Sequence, residues 1–384
     1  MAKEIKYGMV GGSIYAFIGE VHRKALAFDT RAELVAGCFS NVESENVDTA
    51  AAYGVAPERT YKDYKEMAAA EAKRADKIDF VSICTPNFLH YEVAKAFLLA
   101  DINVVCEKPL CFAVEEAEEL EKLAAERGLI FAVTYAYTGY VMPKVMKEMI
   151  ANGKIGKIAT VIAEYAQDWL LDELSPEKQG QAKNLSVWRT DPKFSGISNC
   201  VGDIGTHAEN MVHYLTGLKI KRLMAVTDSY GHALDLNANI IVEYENGVKG
   251  QYWCSQIAAG RMNGLVVRIY GSEGSLEWEQ HFPDYVKYTP RGQATQILSK
   301  RNSYIHEAAH AAARIPSGHP EGYYVAFANT YRNILNAVAK KKAGKALTDA
   351  DLDFPKVTDG VNGVKFVHAV IDSAKADGAW VDIG

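Results

Sequence analysis

The sequence contains no long apolar run. Nothing in its 384 residues approaches the roughly 20 consecutive hydrophobic positions that a helix needs to cross a bilayer. Cysteine is sparse, and Cys38, Cys84, Cys106, Cys111, Cys200 and Cys254 show no C-x-x-C spacing, which removes the common zinc and dithiol motifs. Most of them lie in apolar, strand-like runs, so reduced, buried thiols in a cytoplasmic protein are expected. An excess of positive charge is also missing. Lys and Arg number 42 against 48 Asp and Glu, and the net −6 gives no general attraction for nucleic acid or an anionic membrane. Neither an internal repeat nor a low-complexity segment is found. Lys3-Glu4-Ile5-Lys6 leads straight into a strand, so no secretory leader is read.

What is present suits two domains, and a chain of this size buries roughly three quarters of its unfolded surface. Ile5 to Val10 reads as a strand, followed by Gly11-Gly12-Ser13-Ile14-Tyr15-Ala16-Phe17-Ile18-Gly19 and a helical pattern. Strand, glycine-rich turn and helix in that order make a phosphate cradle, with the backbone close to a pyrophosphate and the helix N-terminus facing its charge. Gly11, Ser13, Phe17, Ile18 and Gly19 are the candidate residues. The pattern departs from G-x-G-x-x-G in that Ser13 replaces a glycine and Gly19 comes about three residues late. A second strand, Glu33 to Phe39, ends at Ser40-Asn41, where an acid would grip the ribose of NAD or an arginine the phosphate of NADP. Neither is present. A serine can bond either ribose form, and the lack of Arg or Lys beside Ser40 favours NAD while leaving NADP open.

Helical patterns over Ala50 to Tyr53, Tyr61 to Ala72, His90 to Ala100 and Val114 to Arg127 alternate with strands at Phe80 to Cys84, Val104 to Cys106 and Ile130 to Thr134. This predicts an α/β domain over 1–135 with a doubly wound parallel sheet. Residues 136–384 change pattern. After a helix from Met142 to Ala151 come period-two strands from Ile158 to Thr289, with Asn246-Gly247 as a hairpin turn. The expected second domain is α+β, carrying a large open, mainly antiparallel sheet for substrate binding and homo-oligomerisation. A helix from Glu321 to Lys342 is expected to pack back on the first domain.

Ligands on parallel sheets collect beyond the carboxyl ends of the strands, where Glu107-Lys108 follows Val104 to Cys106. The bland reading is a surface ion pair. In Cys200-Val201-Gly202-Asp203-Ile204-Gly205-Thr206-His207-Ala208-Glu209, Thr206 and Glu209 have capping-box spacing, which predicts a helix starting at His207 and a loop holding Asp203. Removing hydride from an alcohol also requires removing its hydroxyl proton. His207 is a suitable base, Lys108 could hold or relay the proton, and Asp203 could bond a second hydroxyl or orient the histidine. The alternatives are that Asp203 caps a turn while His207 merely opens a helix, or that Asp203, His207, Glu209 and His213 bind a metal. The last set lacks a compact ligand spacing, so no metal is expected. Trp188-Arg189 suits a phosphate or carboxylate contact, and equally a surface cation lying on the tryptophan. Tyr135, Tyr137, Tyr140, Trp169 and Tyr323 could present faces and hydroxyls to a sugar, with His319-Pro320-Glu321-Gly322-Tyr323 as a rim.

Glu107-Lys108-Pro109, the D-x-G-x-H of Asp203 and His207, Trp188-Arg189 before Gly196, and Thr85-Pro86-Asn87 with His90 together resemble the family of glucose–fructose oxidoreductase and inositol dehydrogenase (Gfo/Idh/MocA) over essentially the whole chain. The resemblance implies an N-terminal Rossmann domain and a cytoplasmic, homo-oligomeric NAD(P)-dependent dehydrogenase. Lys108 would contact the reacting hydroxyl, with His207 the acid/base and Asp203 assisting. Thr85, Pro86, Asn87, His90, Glu107, Trp188 and Arg189 would join Ser40 and Asn41 along the cofactor, and Tyr137, Trp169, His319 and Tyr323 would face substrate. The substrate class implied is a sugar, cyclitol or glycoside, including the third carbon of a glucosyl group. A redox-cycle glycosidase or lyase holding NAD, and a non-catalytic ligand sensor, are the competing readings.

Overall fold

The computed structural model describes residues 3–175, 177 and 187–383, with backbone alone at 187, 188, 307 and 308. It forms two compact units, Met1–Gly139 with Tyr323–Val361, and Tyr140–Gly322 with Asn362–Gly384. The elements run β1 (Ile5–Gly11), α1 (Phe17–Ala27), β2 (Ala32–Cys38), α2 (Glu43–Tyr53), α3 (Tyr64–Ala72), β3 (Phe80–Cys84), α4 (His90–Leu99), β4 (Asn103–Cys106), α5 (Val114–Glu126) and β5 (Phe131–Val133). They continue with α6 (Val141–Ala151), β6 (Ile158–Ala166), α7 (Pro192–Ser195), α8 (Thr206–Thr216), β7 (Ile220–Asp228), β8 (Asn237–Tyr244) and β9 (Lys249–Ser255). The last are β10 (Gly264–Gly271), β11 (Gly274–Glu279), β12 (Tyr285–Pro290), β13 (Gln296–Ser299), α9 (Glu307–His310), α10 (Tyr323–Lys342), α11 (Val357–Lys375) and β14 (Val381–Asp382).

In the first unit five parallel strands take the order β2-β1-β3-β4-β5. β3 is buried along its whole length, as an apolar strand covered on both faces must be. Phe327, Tyr331, Ile334, Leu335 and Val338 of α10 join Ile5, Val21, Leu26 and Phe80 in one core, so the late helix belongs to this unit. Two expected helix starts shift by three residues or more, and α10 starts at Tyr323 instead of Glu321. α2 begins seven residues earlier than the Ala50 start read from the sequence, at Glu43, and α3 begins at Tyr64 instead of Tyr61. The second shift has a clear cause: the Asp63 carboxylate accepts the N–H groups of Lys65 and Glu66 at 2.7 and 3.3 Å, which sets the N-terminus there.

The second unit is built on nine strands in the order β13-β12-β11-β10-β6-β9-β8-β7-β14. All pairs are antiparallel except β6 with β9. Register puts Ile240, Tyr252, Ala163, Val267, Trp278 and Val286 in one row, all buried. The alternate row, Ile241, Gln251, Ile162, Arg268, Glu277 and Lys287, is half-buried or exposed. The sheet is therefore covered on one face, where α8 packs on β6 and β10.

Candidate active site

In the first unit Gly11 and Gly12 adopt φ of 74° and 71°, open to glycine without strain. A Cβ on Gly19 would lie 2.4 Å from the Gly12 Cα, so helix and strand approach as only two glycines allow. The late glycine thus does the close-packing work, and the longer loop leaves Ile14 and Tyr15 exposed, with Phe17 at the start of α1 71% exposed. Ser13 is buried, its carbonyl accepting the Ala16 N–H at 2.8 Å. Ala16 supplies no side-chain cap to α1, which leaves first-turn donors for an anion. On the neighbouring strand end the buried Thr85 Oγ1 has no hydrogen-bond partner among the described residues. A glycine cradle, an uncapped helix and an orphaned hydroxyl at the carboxyl edge of one parallel sheet fit a dinucleotide.

Pro86 is exposed and Asn87 half-buried on the same edge. His90, fully buried, places Nε2 3.0 Å from the Thr85 carbonyl and Nδ1 2.7 Å from the Pro109 carbonyl. It ties the Thr85 turn to the Lys108 turn, and the Lys108–Pro109 peptide there is cis. Beneath Lys108 lies an ion pair. Glu107 is buried, and its Oε1 receives the His22 Nε2–H at 2.8 Å and the Thr134 hydroxyl at 2.5 Å, while Oε2 receives the Lys108 N–H at 3.2 Å. His22 Nδ1 lies 2.5 Å from the Tyr331 hydroxyl and 3.0 Å from Ser82 Oγ. Burial disfavours the charged ring, but Cys84, Tyr331 and Glu107 outweigh it and hold the His22 imidazole well above its ordinary value. Burial likewise opposes ionisation of Glu107, and His22, Thr134 and Lys108 keep its carboxyl below the usual range. Both directions describe a charged pair. Tyr137 and Tyr323 also meet in this unit, ring centroids 5.9 Å apart.

In the second unit the expected capping box does not form. Val201–Gly205 is one π turn that runs directly into α8, whose first residue is Thr206, and Gly205 before it is already helical at φ −61° and ψ −39°. Thr206 and Glu209 have the right spacing, but a cap requires an extended residue where the chain is already coiled. Asp203 therefore projects from a π turn, a form frequent at functional sites, with His207 one residue into the helix. His207 is 8% exposed, its ring 5.9 Å from that of Tyr165.

Asp203 Oδ2 accepts the Gln256 Nε2–H at 3.0 Å, and Arg189 Nε lies 3.5 Å from Oδ1. Gln256 Oε1 accepts Asn199 Nδ2–H at 2.7 Å, so the amide cannot flip. The Asp235 carboxylate accepts the N–H groups of Asn199 and Val201, each at 2.9 Å, and fastens the start of the turn. Trp169 Nε1–H donates to Gln167 Oε1 at 3.0 Å, and that oxygen lies 3.5 Å from Gln256 Nε2. The structure thus links Trp169, Arg189 and Asp203 through side chains, and His207 follows in the same unit at the start of α8. His319 is exposed and makes no side-chain hydrogen bond to the described residues. Trp188 falls outside the described side chains. Among the described residues no three His, Cys, Asp or Glu side chains gather to hold a metal ion.

Two family models match the chain: residues 5–135 match an oxidoreductase family with an NAD-binding Rossmann fold, and residues 144–277 match the GFO/IDH/MocA C-terminal domain. The chain belongs to the Gfo/Idh/MocA oxidoreductase family. An uncharacterized oxidoreductase of Bacillus subtilis (strain 168), YfiI, is 35% identical over all of this chain and 98% of its own length. An inositol dehydrogenase homolog from Azotobacter vinelandii, solved with NAD+, is 36% identical with a TM-score of 0.91, covering 100% of this chain and 98% of that one. A levoglucosan dehydrogenase of Pseudarthrobacter phenanthrenivorans is 25% identical over 80% of each chain.

As a Gfo/Idh/MocA member the protein is an NAD(P)-dependent dehydrogenase acting on CH–OH groups. Sequence reasoning passed over the residues that support its motifs: His22, Ser82, Thr134 and Tyr331 under Lys108, and Asn199, Asp235 and Gln256 behind Asp203. His22 and Tyr331 stand 309 positions apart, and no local spacing announces such a partnership.

Proposed function

We propose that this protein oxidises a secondary ring hydroxyl of a sugar, cyclitol or glycoside, passing hydride to NAD, with Lys108 and His207 handling the hydroxyl proton and Asp203 holding a second substrate hydroxyl or the histidine. The carrying observation is Lys108 at the carboxyl end of β4, seated on a buried, already neutralised acid. An ammonium so placed can bond an alkoxide as it forms, and an imidazole can take the proton. The relatives support this substrate class: the Azotobacter homolog has also been solved with NADH and myo-inositol, and levoglucosan is an anhydrosugar. A D-glucoside 3-dehydrogenase of Escherichia coli (strain K12), 31% identical over 38% of this chain, keeps the third carbon of a glucosyl group among the candidates. Tyr137 and Tyr323 supply ring faces for such a substrate.

The test is NAD and NADP reduction across inositols, free sugars, levoglucosan and glucosides. Lys108→Ala and His207→Ala are each expected to lower kcat about 10²- to 10⁴-fold while NADH still binds. Wild-type turnover in either variant removes the mechanism. A wild-type protein that cleaves glycosides without accumulating NADH points instead to a redox cycle.

The same reading includes assembly. The exposed sheet face mixes apolar residues (Ile241, Ile162, Trp253) with the half-buried cluster of Glu164, Arg268 and Glu277, and the shallow cleft between Trp253 and Arg268 holds about 360 Å³. A face of this character suits a second copy of the chain.

A further inference from the structure

The end of β2 carries no acid in sequence, yet one stands there in space. Ser40, directly beyond β2, donates its hydroxyl to the Glu45 carboxylate at 2.9 Å, and its oxygen accepts the Val42 N–H at 3.1 Å. Glu45 lies in the first turn of α2, and the position of that helix is fixed from three sides. Buried Asn46 accepts the Phe39 N–H at 2.7 Å and donates to the Tyr61 carbonyl at 3.0 Å. Thr49 Oγ1 accepts the Ile14 N–H at 3.3 Å, and the Tyr53 hydroxyl donates to the Gly12 carbonyl at 3.2 Å. One helix is therefore bonded both to the glycine loop and to the end of β2, the two places between which a dinucleotide lays its adenosine half.

The charge balance there is one-sided. Glu43 is paired with Lys62 at 2.7 Å, whereas Glu45 has no cationic partner among the described residues. Arg23 is occupied over the Tyr53 ring, 3.6 Å from its centroid.

We infer that Glu45, held by Ser40, is the specificity-determining residue for the cofactor: its carboxylate accepts a ribose 2′-hydroxyl and repels a 2′-phosphate, so the site selects NAD over NADP. This rests on the NAD-dependent reading above and sharpens it. The physical asymmetry is simple. A hydroxyl brings a donor to an acceptor, whereas a phosphate brings like charge against a carboxylate to which no arginine or lysine is paired among the described residues.

Titration of the full-length protein with NADH and NADPH, followed by nicotinamide fluorescence without substrate, tests it. Wild type should bind NADH at least about tenfold more tightly, and added salt should improve NADPH binding by screening the repulsion. Glu45→Gln should weaken NADH modestly, tighten NADPH and erase its salt response, and Glu45→Arg should invert the preference. The kcat/KM ratio for the two cofactors should follow in the same order. A Glu45 that serves only as a helix N-terminal charge changes melting temperature and leaves the NADH:NADPH ratio within twofold of wild type, which overturns the inference. Wild-type preference for NADPH overturns it as well. Binding of neither dinucleotide overturns the underlying reading instead.

Discussion

The turn carrying Lys108 and the turn carrying Asp203 are held by opposite means. Under Lys108 the support is ionic, a buried imidazolium and carboxylate with three hydroxyls around them. Behind Asp203 it is mainly amide, a relay of Gln256 and Asn199 on a turn whose backbone N–H groups are caught by the buried Asp235 carboxylate, with the Arg189 guanidinium 3.5 Å from the other Asp203 oxygen. A buried charge must be matched by another charge or it is very costly, so the ionic support is strong and intolerant. An amide relay fixes direction at lower stakes, since each missing bond costs one hydrogen bond and no unpaired ion. Variants at His22 and at Gln256 should separate along this line, the first failing in stability and the second in turnover.

Removing one partner of the ionic support should have the larger effect. His22→Ala leaves Glu107 buried without its cation, and about 3–5 kcal/mol of stability should be lost in urea melts. The pH dependence follows from the two directions. His22 is raised when folded, so its contribution is complete below 6.5 and disappears as pH climbs through the raised value. Glu107 is lowered, so its contribution is complete above 4.5 and disappears as pH falls through the depressed value. Wild type should therefore hold a stability plateau from above 4.5 to beyond 6.5, while the variant should lie below it and lose the decline on its alkaline side. A variant as stable as wild type at pH 6 would show that the pair contributes nothing.

Gln256→Met should disturb the amide relay with a smaller and different outcome, about tenfold in kcat with modest change in stability, because an aimed donor to a carboxylate is lost. Gln256→Glu keeps the acceptor for Asn199 but turns a carboxylate toward Asp203. The two acids must then share a proton, and activity should fall as pH rises through the raised member of the pair. Wild-type pH profiles in both variants would reduce Gln256 to packing.

The sequence announces the strands and the motif turns for a physical reason: an apolar run ending in Glu107-Lys108-Pro109 or Thr85-Pro86-Asn87 changes character sharply at a sheet edge. The supports are silent because they arise from tertiary contact alone. Glu45 illustrates the limit: reading only Ser40-Asn41 at the strand end missed an acid folded back from the next helix. α11 illustrates another. Gly360 and Gly363 interrupt its first turns, yet a Cβ at Gly360 would come 2.9 Å from Leu110 Cβ, so packing demands the residue that propensity argues against. β13, four residues, and β14, two, carry too little pattern to be seen.

The smallest effect concerns charges on the open sheet face, and it sharpens the contrast between buried and exposed pairs. Arg268 bridges Glu164 at 2.5 Å and Glu277 at 3.2 Å, with side chains between 23% and 29% exposed. In an isolated chain such pairs remain in contact with water, and Arg268→Ala should cost less than about 1 kcal/mol in dilute urea melts. Covering by a second copy would remove that water and leave both glutamates desolvated without their cation, so the loss should grow with protein concentration as dimers form. Melts at two concentrations, read beside sedimentation of wild type and variant, separate the cases. A small loss at every concentration, from a protein that sediments as one chain, would assign this face to solvent and remove assembly from the proposal, leaving both active-site supports as they stand.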